Sequence, residues 1–152
     1  ILLSLLLLVT WLPAVLLLVV QVLFAGSFTF FVDNLFLLPA ITLYALIQVT
    51  AVGAAMLALS SLSKSSRFVG VLYAGLIFFS QAVYGIVRGI TRDSSMAWLS
   101  MPLDLAQIGD VVFRLPPRYD MPVWSAFLVV GLLIAASAFV LERQVRGVEV
   151  VA

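Results

Sequence analysis

Two carboxylates, Asp104 and Asp110, stand six residues apart in a stretch that reads as helical, and paired acids are the first residues to weigh for general acid–base chemistry. Gln107 and Arg114 share their helical spacing, opposite Leu103, Ala106, Ile108, Val111, Val112 and Leu115. The acids therefore fall on the polar face of an amphipathic segment, and a solvated face is expected rather than a catalytic pair. Gln48 is the second polar group that needs an explanation, because it sits near the middle of an apolar run. An amide facing lipid would lack hydrogen-bond partners, so it must face protein or water. It reads either as glue between helices or as a group lining a substrate path.

Other chemistry is missing. The chain has no Cys and no His, which removes disulfides, thiolate nucleophiles, Cys or His metal sites and His-ligated haem, while carboxylate, amide or Met ligation stays open. There is no G-x-x-x-x-G-K-[ST] loop, no G-x-S-x-G elbow and no H-E-x-x-H pair. The run from Ser60 to Arg67 has the hydroxyls of a phosphate cradle but not its glycines. The expectation is no enzyme, with no catalytic residue, no cofactor and no metal.

The elements that would position these residues are membrane helices. Hydrophobic residues make up 64% of the chain and charged ones 10%, and the mean hydropathy is +1.26, too little polarity to cover a soluble globule. Several apolar runs match the ~20 residues that cross a bilayer core of roughly 30 Å. A net charge of +1 with scattered basic residues carries no nucleic-acid signal. A single all-α transmembrane domain over residues 1–152 is expected, with spans at about 1–25, 35–59, 68–90 and 123–141. The chain opens inside an apolar run without Met, which reads as part of a longer or processed polypeptide.

In the first span Pro13 should kink the helix, and residues 26–34 should form a polar turn around Asp33 and Asn34. The second span carries Gly53, Ala51, Ala54, Ala55 and Ala58, small residues that let helices approach in lipid. Ser60 to Arg67 reads as the tight turn between the second and third spans. In the third span, Gly85 and Gly89 form a GxxxG spacing for helix packing, and Arg88 and Arg92 read as a snorkelling pair at its end. Residues 91–122 are too long for a simple turn and should hold a short amphipathic helix at the membrane surface, from Pro102 to Leu115, with Ser100 as its N-cap. Trp98 and Trp124 bracket it as interfacial anchors. The last span offers Gly131, Ala135, Ala136 and Ala138 for packing and ends in the basic stretch at Arg143 and Arg146.

Basic residues do not decide the orientation. Lys64, Arg67, Arg143 and Arg146 lie on one side of a four-span arrangement, and Arg88, Arg92, Arg114 and Arg118 on the other. The first side is favoured as cytoplasmic because the second four share their segment with Asp93, Asp104, Asp110 and Asp120.

The run from Ala58 to Arg67, the stretch Trp98 to Asp104 with Ile108-Gly109-Asp110, Leu115-Pro116-Pro117, Trp124 and the tail from Leu141 to Val151 together resemble the carboxyl-terminal part of bacterial ABC-2 type transporter permeases. The resemblance covers roughly the last hundred residues, and the order of the pieces and the closing R-x-V-R-x-V-E-V-V pattern carry most of it. It implies an exporter half with six membrane helices, of which these four would be the last, in the bacterial inner membrane with a cytoplasmic carboxyl terminus. An outer loop with short helices would precede the last span. A separate ATP-binding subunit would drive alternating access, and a second permease copy would complete the path. Under that resemblance Gln48, Gln81 and Tyr84 would line the path, and Lys64 and Arg67 would lie near the ATPase. The family's first two helices and its coupling region have no counterpart in these residues. An alternative of another class is a non-catalytic helical subunit packed in a larger, energy-transducing membrane complex. The substrate cannot be read from a path of amides and hydroxyls.

Overall fold

An uncharged run of Leu and Val has no polar side to present, and it folds as a helix that is apolar all round, α1 (Leu2–Ala25), continuous through Pro13. In the computed structural model, which describes residues 1–26, 28–63 and 65–149, Gly26 closes this helix at φ +63°. That left-handed position is one glycine adopts without a Cβ penalty. The expected plain turn at residues 26–34 is corrected: it contains a short helix, α2 (Phe28–Asp33). No helix breaker interrupts Phe-Thr-Phe-Phe-Val, and Asn34 ends the helix by donating from Nδ2 to the Phe30 carbonyl at 2.8 Å.

The remaining helices are α3 (Leu37–Leu62), α4 (Ser66–Thr91), a 3-10 turn over Ser95–Leu99, α5 (Met101–Val112) and α6 (Val123–Glu149). Among the described residues there is no strand. Four of the helices, α1, α3, α4 and α6, are long and apolar enough to cross a membrane. They match the four spans read from the sequence, with boundaries shifted by a few residues.

α3 is the centre of the bundle and packs against α1, α4, α5 and α6. Its small residues make this possible: Ala40, Ala45, Ala51, Gly53, Ala55 and Ala58 are all buried, so neighbouring backbones approach on several sides. α1 runs antiparallel to it. Trp11 Nε1 donates to Thr42 Oγ1 at 2.9 Å, and Leu3 lies over Gly53, where an added Cβ would come within 2.6 Å of Leu3 Cδ2. On α6 the side facing the bundle differs from the expected one. Ala126, Val130 and Ser137 are buried, whereas Gly131, Ala135, Ala136 and Ala138 are exposed. The packing stripe of α6 within the chain thus runs through Ala126, Val130 and Ser137 and not through the four small residues expected.

The turn between α3 and α4 is built from serines. Ser63 and Ser65 are extended, and the Ser63 hydroxyl donates to the Ser65 carbonyl at 3.1 Å while accepting from the Ser65 amide at 3.3 Å. The side chain of the residue that closes α3 thus bonds both backbone groups of Ser65, the N-cap residue of α4.

The largest departure concerns α5. The core of the protein gathers around it: Ala51, Tyr84, Ala97, Met101, Leu105, Ile108, Met121, Ala126 and Val130 form one buried cluster. α5 packs against α3, α4, α6 and the 3-10 turn, at the end of the bundle where α4 finishes and α6 begins.

Candidate functional site

The solvated face expected for Asp104, Gln107 and Asp110 is overturned. Asp104 and Gln107 are 0% exposed and Asp110 is 1%, while Val111, from the side read as apolar, is 40% exposed. Ile108 and Leu105 are buried as well, so α5 is enclosed on both its polar and its apolar side and Val111 is its one exposed residue. A helix packed against α3, α4, α6 and the 3-10 turn turns polar and apolar side chains alike toward protein, so its spacing alone does not say that the polar face meets water.

Local chemistry seats α5 in this slot. Ser100 is its N-cap residue at φ −117°, but the hydroxyl makes no capping bond; the Ser100 carbonyl instead accepts from the amides of Leu103 and Asp104 at 2.9 and 3.0 Å. The expected helix to Leu115 stops at Val112. Arg114 takes the left-handed conformation at φ +55°, with Leu115 N–H donating to the Asp110 carbonyl at 2.7 Å and Arg114 N–H to the Val111 carbonyl at 3.1 Å. This is a Schellman closure with arginine in the place glycine usually takes. The Arg114 guanidinium lies 4.8 Å from the centre of the Phe36 ring, a cation–π contact that ties the helix end to the start of α3.

Gly109, a poor helix former, admits a neighbour. A Cβ there would lie 3.1 Å from Tyr44 Cε2, and the Tyr44 ring is in turn held edge-on by Phe113, with centroids 5.6 Å apart. The 3-10 turn is pinned from both sides. Ser94 Oγ donates to Asp120 Oδ2 at 2.8 Å and accepts from the Asp120 amide at 3.1 Å. Ser95 donates to Asp93 through its hydroxyl at 2.7 Å and its amide at 3.2 Å. These bonds, with one from the Ser94 backbone, hold the Asp93 carboxyl below its usual range.

The two acids of α5 are not a pair. Six residues at about 100° each set them roughly 120° apart around the helix, and their surroundings differ accordingly. Asp110 Oδ1 lies 3.1 Å from Arg118 Nε. Asp104 has no hydrogen bond at either carboxylate oxygen, and burial pushes its carboxyl up to about 8. Around them stand further buried polar atoms without a hydrogen-bond partner: Ser100 Oγ, both amide atoms of Gln107, Asp110 Oδ2 and the Tyr84 hydroxyl. Buried polar groups are normally satisfied, so several such groups on and beside one short helix call for a functional explanation. Among the described residues no group of three or more His, Cys, Asp or Glu side chains is arranged to hold a metal.

The residues expected along a path do not converge within this chain. Gln48 on α3 is half-buried, Tyr84 on α4 is buried in the α5 core, and Gln81 is exposed. Gln81 lines an open groove along α4 with Val71, Tyr73, Gly75, Phe78 and Ala82, which contains neither Gln48 nor Tyr84. Gly85 and Gly89 also face outward, and a Cβ at either would meet nothing within 4 Å. Arg67 is exposed at the start of α4; Lys64 lies outside the described residues. Trp98 and Trp124, which bracket the region in sequence, line one groove of about 400 Å³ with Met96, Pro122, Leu128 and Leu132.

Compared with family models, curated proteins and solved structures, the chain finds no match in any of the three. Its function has to be inferred from its own geometry and from the motifs of its carboxyl-terminal hundred residues.

Proposed function

We propose that the chain is the membrane-spanning permease part of an ABC-2 type exporter, moving its substrate by alternating access with a separate ATP-binding subunit and a second copy of itself. The observation that carries this reading is the insert between α4 and α6. A 3-10 turn and α5 stand between the third and fourth spans, the order of elements that the motif resemblance implies. In this reading the serine turn between α3 and α4 faces the cytoplasm, with Arg67 toward the ATPase, and α5 lies on the outer side.

The outward face of α4 supports a partner in the membrane. Gln81 is exposed near mid-span, where an amide facing lipid lacks partners, and Gly85 and Gly89 leave the backbone beside it open to a close-packed helix. In the proposed assembly this face meets the second copy and the path.

Purification from native membranes should recover an ATP-binding subunit, and vesicles carrying the complex should show ATP-dependent flux. Gly85→Leu with Gly89→Leu should abolish self-association of the tagged chain without lowering its own melting temperature, because a Cβ at either glycine meets nothing within 4 Å and leucine is the better helix former. Recovery of pigment or redox subunits in place of an ATPase would favour a packing subunit of an energy-transducing complex and sink the permease reading.

A further inference from the structure

Asp104 is the most enclosed ionisable group of the α5 core. It is 0% exposed, has no hydrogen-bond partner at either oxygen, and belongs to a helix whose Met101, Leu105 and Ile108 share one buried cluster with Ala126 and Val130 of α6. A carboxylate in such a slot must be neutralised, since an isolated buried charge is far less favourable than the neutral acid. Among the described residues no cation reaches it. On α5 itself, Asp110 is taken by Arg118. From α3 comes Tyr44, which lies over Gly109. From α4 come Tyr84, with a buried hydroxyl, and Arg88, which is exposed. The 3-10 turn brings no ionisable side chain, and α6 has none before Glu142. Of the flanking segments, Arg92, Asp93 and Asp120 are exposed, Tyr119 is half-buried, and Arg114 stacks on Phe36. The neutralising partner left is a proton.

We propose that Asp104 is a proton-binding site that seats α5: while the carboxyl carries its proton, α5 stays packed between α3, α4 and α6, and when the proton leaves to water the resulting carboxylate drives α5 out of that slot. Neither element of this switch needs a co-reactant, because only an O–H bond breaks and reforms. Burial has already moved the carboxyl to where the change falls near physiological pH. No donor among the described residues reaches either Asp104 oxygen, so nothing stabilises the ion there against the neutral acid. No long helix runs into α5 from either side: residues 114–122 have no regular structure and a short 3-10 turn precedes it, so displacing it breaks the flanking contacts and not a continuous helix. The inference is independent of the exporter reading and would hold for a packing subunit as well.

The test uses the full chain in lipid nanodiscs. Infrared difference spectra recorded between about pH 5 and pH 10 should show a protonated-carboxyl band that disappears with a midpoint above 7 and is absent from Asp104→Asn. Amide hydrogen exchange over residues 101–112 should be roughly tenfold faster in the wild type than in Asp104→Asn at about pH 9, and equal at about pH 5. Comparing the two at the same pH cancels the intrinsic exchange rate. Equal exchange at high pH overturns the switch. A midpoint that moves with sodium at constant ionic strength overturns the proton in favour of a metal cation. Should Asp104→Asn fail to fold, wild-type protein labelled with carboxyl-13C aspartate keeps the question open to measurement, and the absence of any aspartate band titrating above 7 overturns the proposal.

Discussion

Arg118 reaches Asp110 from solvent: its Nε lies 3.1 Å from Asp110 Oδ1, yet the arginine side chain is 62% exposed and the aspartate side chain 2%. The contact therefore has unequal ends. An exposed guanidinium contributes little by itself, because water and salt screen it, whereas the carboxylate it leaves behind would be buried with Oδ2 already unpartnered. Arg118→Ala should destabilise the protein by about 1–2 kcal/mol, most of it the cost of an abandoned buried charge. Adding Asp110→Asn to Arg118→Ala should recover most of that loss. Thermal melting of the four variants in one detergent gives the cycle, and a double variant no more stable than Arg118→Ala would refute the assignment.

Tyr44 and Gly109 set a second prediction, in which two effects oppose each other. Alanine is the better helix former by about 1 kcal/mol, but its Cβ would come 3.1 Å from Tyr44 Cε2 and 3.3 Å from Cζ. The ring is held by Phe113 and has little room to retreat, so overpacking of about 1–3 kcal/mol outweighs propensity. Gly109→Ala should lower the melting temperature. In a Tyr44→Leu background the same substitution should become neutral or stabilising, since the obstructing ring is gone.

Arg114 closes α5 in a conformation that costs a residue with a Cβ roughly 1–2 kcal/mol, while its guanidinium over Phe36 returns about 0.5–1 kcal/mol. Glycine loses the second contribution and escapes the first, and its extra backbone entropy in the unfolded chain costs about 0.5–1 kcal/mol. Alanine loses the second and keeps the first. Arg114→Gly should therefore melt close to the wild type, and Arg114→Ala about 1 kcal/mol below it. The reverse order would mean that the left-handed closure is not what terminates α5.

Much of this architecture is legible in the sequence because its signals are compositional. The lengths of the four apolar runs, the serine turn after Leu62 and the small residues of α3 need no tertiary information, and α1, α3, α4 and α6 appear where hydropathy puts them. α5 is legible as an element and not in its orientation. Asp104, Gln107 and Asp110 show the same spacing whether their face meets water or the middle of a bundle, and only the neighbours that α3, α4 and α6 bring decide between the two. Gly131, Ala135, Ala136 and Ala138 mislead for a related reason: small residues mark where a helix can be approached, and they do not say from which side. Gly109 carries a usable signal, since a glycine inside a helix is costly enough to imply a close neighbour, but nothing local names that neighbour as Tyr44.

Asp104 also gives global stability a pH dependence whose sign follows from burial. In the unfolded chain its carboxyl titrates near the ordinary value of 3.8, and in the folded protein near 8. Between these values the folded state holds a proton that the unfolded state has released, so raising the pH favours unfolding. The stabilisation is complete below the lower value, declines through the interval and is fully lost once the pH passes the upper one. Asp93 acts with the opposite sign, since its carboxyl is held below the usual range. It is a surface group, however, and its contribution lies in the acid range below that interval. The melting temperature of the wild type should therefore fall steadily from about pH 5 to about pH 8 and level off above. Asp104→Asn, which keeps the shape of the neutral acid and cannot ionise, should give a flat profile across the same window. A wild-type profile that is already flat between pH 5 and 8 would mean that Asp104 is ionised in the fold, and the α5 slot would then have to be hydrated or to hold a cation.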